Sequence, residues 1–334
     1  MKNDFVFPLL LADIGGTNCR VGLLATPDAE PARLGRLQTQ AFGPIENAIA
    51  DLVERSKGPR PRAALVAAAG PVTGTRVEIT NAAQEFDAGA LGVRLELASS
   101  AIINDFVAQA AAIPRLKPHD SIALQSGAAD PRGARLAIGP GTGFGVGFIV
   151  RGGDGLAVIA SEGGHAGLGP ESEAEQRLWP HLERVEGRIT IESVVSGAGL
   201  SRLDQAIGLA EGAQPERRSP SIVVDLTLSR QDARAAAAVE LFLALLARAA
   251  GDLALTAKAT GGVFICGGIA PRLVPLINPQ RFCAAFADRA PMQRMLAGMP
   301  VMIVTAEEPA FLGLAELADP SSPLDAPEMT VWRP

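Results

Sequence analysis

The first part of the chain alternates short apolar runs with glycine-rich turns. Residues 5–12 and 20–25 are two such runs, and the turn 13–18, of sequence DIGGTN, joins them. An apolar run, a tight glycine turn and a returning apolar run are typical of neighbouring β-strands. Because the runs are continuously apolar, they predict strands covered on both faces of a sheet. Further strands are predicted at 35–41, 63–69, 76–80 and 95–98, with a helix at 45–57.

The same pattern recurs near residue 135. An apolar run, the glycine segment GPGTG at 139–143 and a second apolar run follow one another there. In both places a Gly-Thr pair precedes a later glycine by the same spacing, from residue 16 to 22 and from residue 141 to 147. Ordered repetition of this kind indicates two related halves that face each other. A ligand between the halves would meet both glycine turns.

Helical patterns are more frequent in the second half of the chain. Helices are expected at 172–184 and from Thr190, which is able to cap the second of them. The long apolar stretch 231–259 carries several charged residues, so it predicts a core helix and not a membrane span. The other predictions are a loop at 161–170, a surface loop at 211–221, a buried strand at 262–266, a helix near Arg272, a strand at 301–304, a helix at 309–317 and a loosely held tail at 319–334.

Composition narrows the class of protein. The length of 334 residues suits two domains of roughly 150 residues each. The formal charge of -6, with four lysines and no basic run, argues against a nucleic-acid binder. Cys19, Cys266 and Cys283 form no zinc or CxxC motif and are interpreted as free thiols in a reducing cytoplasm. No apolar stretch predicts a membrane span, and the N-terminal run lacks the layout of a signal peptide.

The turn after Asp13 is suited to phosphate. Backbone N–H groups of Gly15, Gly16 and Thr17 can surround phosphate oxygens, because glycine permits close approach of the backbone. The carboxylate of Asp13 can hold Mg²⁺ directly or through a water. A plain hairpin in which Asp13 bonds its own turn explains these residues equally well. The second glycine turn favours phosphate, although it lacks the GxGxxG spacing of dinucleotide sites and the GK[ST] of a P-loop.

Polar residues in three further segments are candidates for binding a hydroxylated ligand. Asn104 and Asp105 follow two isoleucines and begin a helical stretch, which by itself favours an ordinary helix cap. A carboxylate at a strand end is also well placed as a general base. Glu162, His165 and Glu192 offer the hydrogen-bond acceptors that sugar hydroxyls need, although each alone is explained by an ordinary surface position. The GxSxG, HRD, DFG and HExxH motifs are absent from the sequence.

Taken together, six segments resemble the bacterial glucokinase family, in matching order from about residue 9 to residue 317: LLADIGGTNCRVGLL, IINDFVAQA, GPGTGFGVG, SEGGHAGLGP, ITIESVVSGAGL and GGVFICGGIAPR. The resemblance implies an α/β chain with the two-lobed actin-like ATPase fold, which is ribonuclease H-like. The smaller lobe is expected to comprise residues 1–112 plus about 306–334, and the larger lobe residues 113–305, with a cleft between them. A cytoplasmic enzyme is expected, and a homodimer is compatible with the resemblance.

The implied reaction is transfer of the γ-phosphate of ATP to the 6-hydroxyl of D-glucose, with Mg²⁺, giving glucose 6-phosphate and ADP. By motif position, the catalytic base falls on Asp105. The implied sugar-binding residues are Asn104, Asp105, Glu162, His165, Glu192, Gly70 and Asn81. The implied ATP-binding and phosphate-binding residues are Asp13, Gly15, Gly16, Thr17, Asn18, Gly141, Thr142, Gly143, Gly267 and Gly268, with Asp13 also near Mg²⁺ and the last two against adenosine.

The sequence departs from the family in one place. Gln84 stands where many members carry a tryptophan, and Phe86 nearby is expected to supply similar packing. The chain also resembles, more distantly, sugar kinases and repressors that carry a zinc-binding cysteine cluster after a similar histidine. No such cluster follows His165, so no structural zinc is predicted.

Three alternatives to a glucokinase stay open at this point. A kinase for another hexose or an amino sugar would use the same residues. A non-catalytic sugar sensor or transcriptional regulator of the same fold would keep the sugar-binding residues and add a DNA-binding segment, for which the residues before the first glycine turn leave no room. A chaperone-like or filament-forming ATPase would not need Asn104, Asp105, Glu162, His165 and Glu192 together.

Overall fold

The computed structural model describes residues 5–40, 43–80, 82–152 and 155–334. Within these ranges the chain mixes strands and helices, as its apolar patterns predict. The strands are β1 (Leu9–Ile14), β2 (Asn18–Leu24), β3 (Ala32–Gln38), β4 (Ala63–Ala68), β5 (Val72–Thr73), β6 (Arg76–Glu78), β7 (Glu85–Asp87), β8 (Ser99–Asn104), β9 (Ser121–Gln125), β10 (Arg135–Pro140), β11 (Phe144–Gly152), β12 (Gly155–Ser161), β13 (Gly262–Ile265), β14 (Val301–Val304), β15 (Leu324–Asp325) and β16 (Thr330–Trp332).

Many helices begin at a Ser, Thr, Asp or Asn whose side chain accepts a hydrogen bond from the first turn. The predicted cap at Thr190 is confirmed, with Ser193 completing a reciprocal capping box. The helices are α1 (Ile45–Arg55), α2 (Ala88–Arg94), α3 (Asp105–Ala111), α4 (Glu173–Leu178), α5 (Ile191–Val194), α6 (Gly197–Ala210), α7 (Pro220–Leu228), α8 (Ala233–Ala257), α9 (Ala270–Leu273), α10 (Pro279–Ala287), α11 (Gln293–Ala297) and α12 (Pro309–Ala318).

The chain folds into two compact units. The first comprises Met1–Asp120, Gly147–Ala160 and Ala306–Pro334, and the second comprises Ser121–Val146 and Ser161–Thr305. The helix α12 belongs to the first unit. The predicted lobe boundaries stay a prediction.

A six-stranded sheet forms the centre of the first unit, with the strand order β16-β8-β4-β1-β2-β3. β1 pairs antiparallel with β2 and parallel with β4, and β4 pairs parallel with β8. β1 and β4 are buried along their whole length, because α1 and α2 lie on one side and α3 and α12 on the other. The register aligns Ile14 with Ala68 and Ala68 with Asn104. The carboxyl ends of three parallel strands therefore lie side by side at one edge of the sheet.

The prediction of a strand at residues 95–98 is wrong. The helix α2 continues to Arg94, and the N–H of Leu97 closes its end on the carbonyl of Gly92 at 2.9 Å. Leu95 and Leu97 pack into the core from this helix end, which explains their apolar character. The strand β8 begins only at Ser99.

The prediction of a loosely held tail at residues 319–334 is also wrong. β16 pairs antiparallel with β8, with Trp332 opposite Ser100. The indole ring of Trp332 lies against α2, in the space that side chains at Gly89 and Gly92 would fill. This strand therefore completes one edge of the first unit's sheet.

Four strands of the second unit lie in the order β10-β13-β14-β9. β13 is parallel to both β10 and β14, and β9 is antiparallel to β14. The long helix α8 packs against α6, α7 and α10 and is largely buried, which confirms the predicted core helix. Within the described ranges, none of the helices combines the length and the apolarity that a membrane crossing requires.

Two helix predictions in the second unit are corrected by the structure. The helix predicted at 172–184 ends at Leu178, where a single 3₁₀ turn (Trp179–His181) follows, because Pro180 cannot continue an α-helical ladder. The end of the predicted surface loop is helical, because Ser219 caps α7 and Pro220 starts it.

Candidate functional site

Asp13 lies near the end of β1, next to the first glycine turn. Its register partner on β2 is Arg20, whose Nη1 donates to the Asp13 Oδ2 at 2.8 Å. Burial raises the pKa of Asp13 above its ordinary value, and the charge of Arg20 offsets only part of that rise. Arg20 engages one oxygen of the carboxylate, so the other can accept a hydrogen bond from a metal-bound water.

The backbone of the first turn is held from within and from β3. The N–H of Gly15 donates to the carbonyl of Asn18 at 2.9 Å, so this N–H is already used. Thr39, which is 1% exposed, donates its hydroxyl to the Gly15 carbonyl at 2.7 Å and its N–H to the Thr17 carbonyl at 3.0 Å. Of the three predicted phosphate donors, those of Gly16 and Thr17 have no partner among the described residues. The Asn18 side chain accepts from Arg36 at 3.0 Å.

Gly70, Asn104 and Asp105 lie at the carboxyl edge of the same sheet. The Asn104 Oδ1 accepts from the N–H of Phe106 at 2.8 Å, which confirms the predicted helix cap. The Asn104 Nδ2 donates to the carbonyl of Gly70 at 3.1 Å and so brings two predicted sugar-binding residues together. Gly70 has a φ of 142°, and a side chain there would overlap the carbonyl of Glu78. Asp105 is the first residue of α3 and is partly exposed.

Sequence reasoning also singles out Asn81 and Gln84. Asn81, predicted to bind the sugar, lies outside the described residues. Gln84 accepts the N–H of Ile79 on its backbone carbonyl at 2.9 Å, in a hairpin whose next apolar residue is Phe86. Phe86 is fully buried within the hydrophobic core of the first unit.

The second glycine turn joins β10 to β11 in the second unit. Its backbone closes on itself, since the N–H of Gly141 donates to the carbonyl of Gly143 at 2.8 Å. The carbonyl of Gly141 accepts from the N–H of Gly197, the first residue of α6, at 2.9 Å. Thr142 is exposed at the tip of the turn.

The third glycine segment lies beside the second turn. Gly267 follows β13, and β13 is the parallel neighbour of β10. Gly267 has a φ of 84°, and a side chain there would lie 2.8 Å from the carbonyl of Pro140 at the end of β10. Gly268 is exposed and has open space around its Cα. The structure therefore brings Gly141, Thr142, Gly267 and Gly268 to one end of the second unit's strands.

Glu162 and His165 face each other across one short 3₁₀ turn (Gly163–His165). The His165 Nε2 and the Glu162 Oε2 are 3.6 Å apart, and both side chains are more than half exposed. The N–H of Ile191 donates to the carbonyl of Ala166 at 3.0 Å, which ties this loop to the start of α5. Glu192, in the first turn of α5, is thereby held close to the loop.

Three supporting residues were missed by sequence reasoning. Thr39 holds the first turn, and the N–H of Phe144 donates to the Glu192 Oε2 at 2.8 Å. Arg248, 5% exposed on α8, donates to the carbonyl of Gly169 and, at 2.7 Å, to Glu175, and so fixes the far end of the loop that carries His165. All three contacts join residues far apart in the sequence, and no local pattern indicates them.

Asp13 is a buried carboxylate beside the first glycine turn. Among the described residues, no group of three or more His, Cys, Asp or Glu side chains could hold a metal ion. One carboxylate beside a turn that is predicted to bind phosphate fits Mg²⁺, which binds through one or two carboxylates and takes its other ligands from phosphate and water. The three cysteines are free thiols, and burial raises the pKa of Cys266 to about 12. The predicted absence of zinc stays a prediction.

Comparison with known proteins places the fold and the family. Among solved structures, a glucokinase from an Antarctic psychrotroph matches with a TM-score of 0.78 and 31% identity, over 93% of this chain and 98% of that one. A ROK family glucokinase from Streptomyces griseus, solved in complex with glucose and AMPPNP, matches in fold with a TM-score of 0.61 at 20% identity, over 92% of this chain and 99% of that one.

Curated relatives extend the match along nearly the whole chain. The glucokinase of Sinorhizobium fredii is 37% identical over 95% of this chain and 93% of its own length, and that of Rhizobium meliloti is 37% identical over 95% and 94%. A family model described as Glucokinase matches residues 10–321. The resemblance predicted from the six sequence segments is therefore confirmed, and the chain belongs to the glucokinase family.

Proposed function

We propose that this protein is an ATP-dependent glucokinase in which Asp105 takes the proton from the 6-hydroxyl of D-glucose. The hydroxyl oxygen then forms a bond to the γ-phosphorus of ATP, the bond from that phosphorus to the bridging oxygen breaks, and glucose 6-phosphate and ADP result. The observation that carries this proposal is that Asp105 and the first glycine turn lie at the same end of the strands in the first unit's sheet. Asp105 begins α3 at the end of β8, two strands from the end of β1, where the first glycine turn begins.

The nucleotide phosphates are assigned to the two glycine turns. In the first turn the N–H groups of Gly16 and Thr17 are available, and Asp13 is the carboxylate that would hold Mg²⁺, directly or through a water. Neutralisation of charge on the phosphate oxygens is the chemistry that Mg²⁺ supplies in such a site. Gly267 and Gly268, beside the second turn, are assigned to adenosine, because a bare backbone lets a flat ring approach.

The sugar hydroxyls are assigned to Asn104, Glu162, His165 and Glu192. The Asn104 side chain uses its oxygen on Phe106 and one N–H on Gly70, which leaves its second N–H for a ligand. Glu162 and His165 present exposed acceptors and a donor. An epimer that leaves one of these groups unpaired is expected to bind roughly 1 to 3 kcal/mol more weakly for each lost bond.

The test is ADP release from purified protein with Mg²⁺ and ATP, with no sugar, glucose, mannose, fructose, galactose or N-acetylglucosamine. We expect fast release with glucose. Asp105→Asn is expected to lower turnover by roughly 10² to 10⁴-fold, the usual effect of losing a general base, with the KM for ATP nearly unchanged. Asp51→Asn, which removes a half-exposed carboxylate on α1, controls for the change in charge.

Each other result supports a different conclusion. Wild-type turnover in Asp105→Asn would remove Asp105 from the role of base. Preference for another hexose or for the amino sugar would favour a kinase of that substrate, and release without any sugar would favour an ATPase of the same fold. No release with any sugar would favour a sugar sensor. A cytoplasmic location and a homodimer are further expectations from family membership.

A further inference from the structure

Gly143 belongs to the second glycine turn, where sequence reasoning places a contact with phosphate. Its surroundings in the structure indicate a different reason for the glycine. We propose that Gly143 is a positioning residue for Glu192: its missing side chain leaves the space in which the Glu192 carboxylate lies. The inference rests on the proposed function, because Glu192 is assigned there to the sugar.

The Glu192 carboxylate lies directly beside Gly143. A Cβ atom built on Gly143 would overlap the Oε2 of Glu192 and lie 3.1 Å from its Cδ. The same Oε2 accepts the N–H of Phe144 at 2.8 Å. One oxygen of the carboxylate is therefore held by the N–H of Phe144 and lies beside Gly143.

The glycine is not required by its own backbone. Gly143 is not among the residues with positive φ, so an alanine there would adopt its backbone conformation without strain. The atoms that an added methyl would meet belong to the tip of a flexible side chain. The fold can therefore accept alanine at residue 143, provided that the Glu192 carboxylate moves away.

The backbone of Phe144 serves both parts of the assigned sugar site. Its N–H holds Glu192, while its carbonyl lies where a side chain on Gly164 would be. Gly164 is the residue before His165 in the loop that carries Glu162 and His165. A shift of the backbone after Gly143 would therefore displace both the Glu192 carboxylate and the loop that carries His165.

Gly141 provides a matched control in the same turn. A Cβ on Gly141 would meet no atom within 4 Å, and its φ is also outside the positive range. If both glycines only bound phosphate, alanine at either position would change the KM for ATP. If Gly143 positions Glu192, alanine at residue 143, and not at residue 141, would weaken the binding of glucose.

The test compares Gly141→Ala and Gly143→Ala by glucose titration without nucleotide and by the KM for glucose and for ATP. We expect Gly143→Ala to weaken glucose binding by roughly 10- to 100-fold, the usual effect of losing a hydrogen bond to a charged group, with the KM for ATP within about twofold of wild type. Gly141→Ala is expected to leave glucose binding unchanged. Thermal melting of each variant checks that it is folded.

Glu192→Asp supplies a second readout, because it relieves the overlap between the carboxylate and a methyl group at residue 143. The shorter side chain withdraws the carboxylate from residue 143, so adding Gly143→Ala to Glu192→Asp should change glucose binding by less than about twofold. Fully additive losses would overturn the proposal, as would a rise in the KM for ATP with unchanged glucose binding. If the wild type releases no ADP with glucose, the proposed function fails. If the wild type is active and Gly143→Ala binds glucose normally, only this inference fails.

Discussion

The two glycine turns have similar sequences but are supported in different ways. In the first turn a buried side chain, the hydroxyl of Thr39, holds the carbonyl of Gly15. In the second turn a backbone group, the N–H of Gly197 at the start of α6, holds the carbonyl of Gly141. The first support can be removed by a side-chain substitution, and the second only by changing the backbone.

The turns also differ in charge. The first is preceded by Asp13, whereas the corresponding position before the second turn is Ile138, which is fully buried in β10. The two turns therefore repeat a similar sequence, but only the first has a carboxylate at the position that precedes it. We expect the first turn to take a metal ion as well as phosphate, and the second to bind phosphate without a metal ion and to position Glu192.

Of the substitutions that test this comparison, Asp13→Asn is expected to have the largest effect, because it removes the charge that distinguishes the first turn. Turnover should fall by roughly 10² to 10³-fold, as when an electrostatic contact to a developing charge is lost. The loss should be seen in steady-state ADP release at saturating glucose and over a range of Mg²⁺. A turnover within tenfold of wild type would show that the two turns do not differ in this way.

Asp13→Asn is expected to lower turnover without lowering the thermal stability of the protein. Because burial raises the pKa of Asp13, the folded chain holds its proton more tightly than the unfolded chain. Its stabilising contribution is therefore present at low pH and is lost as the pH rises from the ordinary value of 3.8 through the raised pKa. At neutral pH we expect Asp13→Asn to melt at the same or a higher temperature than wild type, since the amide oxygen still accepts from Arg20. A fall of several degrees would contradict this sign.

An intermediate effect is expected from Thr39→Val, which keeps the shape of the side chain and removes the hydroxyl. The Gly15 carbonyl then loses its donor in a buried position, and the turn that presents Gly16 and Thr17 loosens. We expect the KM for ATP to rise roughly tenfold, with the KM for glucose unchanged. Thr39→Ser keeps the hydroxyl and should restore most of the affinity for ATP, whereas an equal loss in Thr39→Ser would assign the effect to packing.

The smallest effect is expected from Gly197→Pro, which removes the N–H that holds Gly141. Proline is tolerated at the first position of a helix, and the preceding Ser196 is already extended, with a ψ of 178°. The proline ring takes the place of this N–H, whose nitrogen lies 2.9 Å from the Gly141 oxygen, so the Gly141 carbonyl has to turn away from it. Because Gly141 is only partly buried, water can then hydrate the carbonyl, and the KM for ATP should rise about threefold. Gly197→Ala keeps the N–H and is the control. A rise as large as in Thr39→Val would show that both supports contribute equally.

Local pattern predicted most of the strands that form the two larger sheets. The continuous apolarity of β1 and β4 indicates burial on both faces, and both strands are fully buried. The same reasoning failed at Leu95 and Leu97, because an apolar pair at a helix end packs into the core as a strand would. It failed again for the tail, where Trp332 finds its partners in α2 and β8.

The candidate residues were found from motifs, but their supports were not. A Gly-Thr turn and the Asn104-Asp105 pair can be recognised in the sequence, since they are defined by neighbouring residues. The contact of Glu192 with residues 143 and 144 and that of Thr39 with Gly15 join distant segments. Such contacts follow from strand register and loop packing, which periodicity in a single sequence does not determine.

The pairing of β16 with β8 has a consequence for synthesis of the chain. β8 leaves the ribosome more than two hundred residues before its edge partner. At about 5 to 20 residues per second this interval lasts some tens of seconds, during which the edge of β8 that β16 later covers stays unpaired. The nascent first unit is therefore open to pairing with other chains until β16 arrives. The packing of Trp332, one of only two tryptophans, against α2 provides a fluorescence signal for the moment at which that edge is covered.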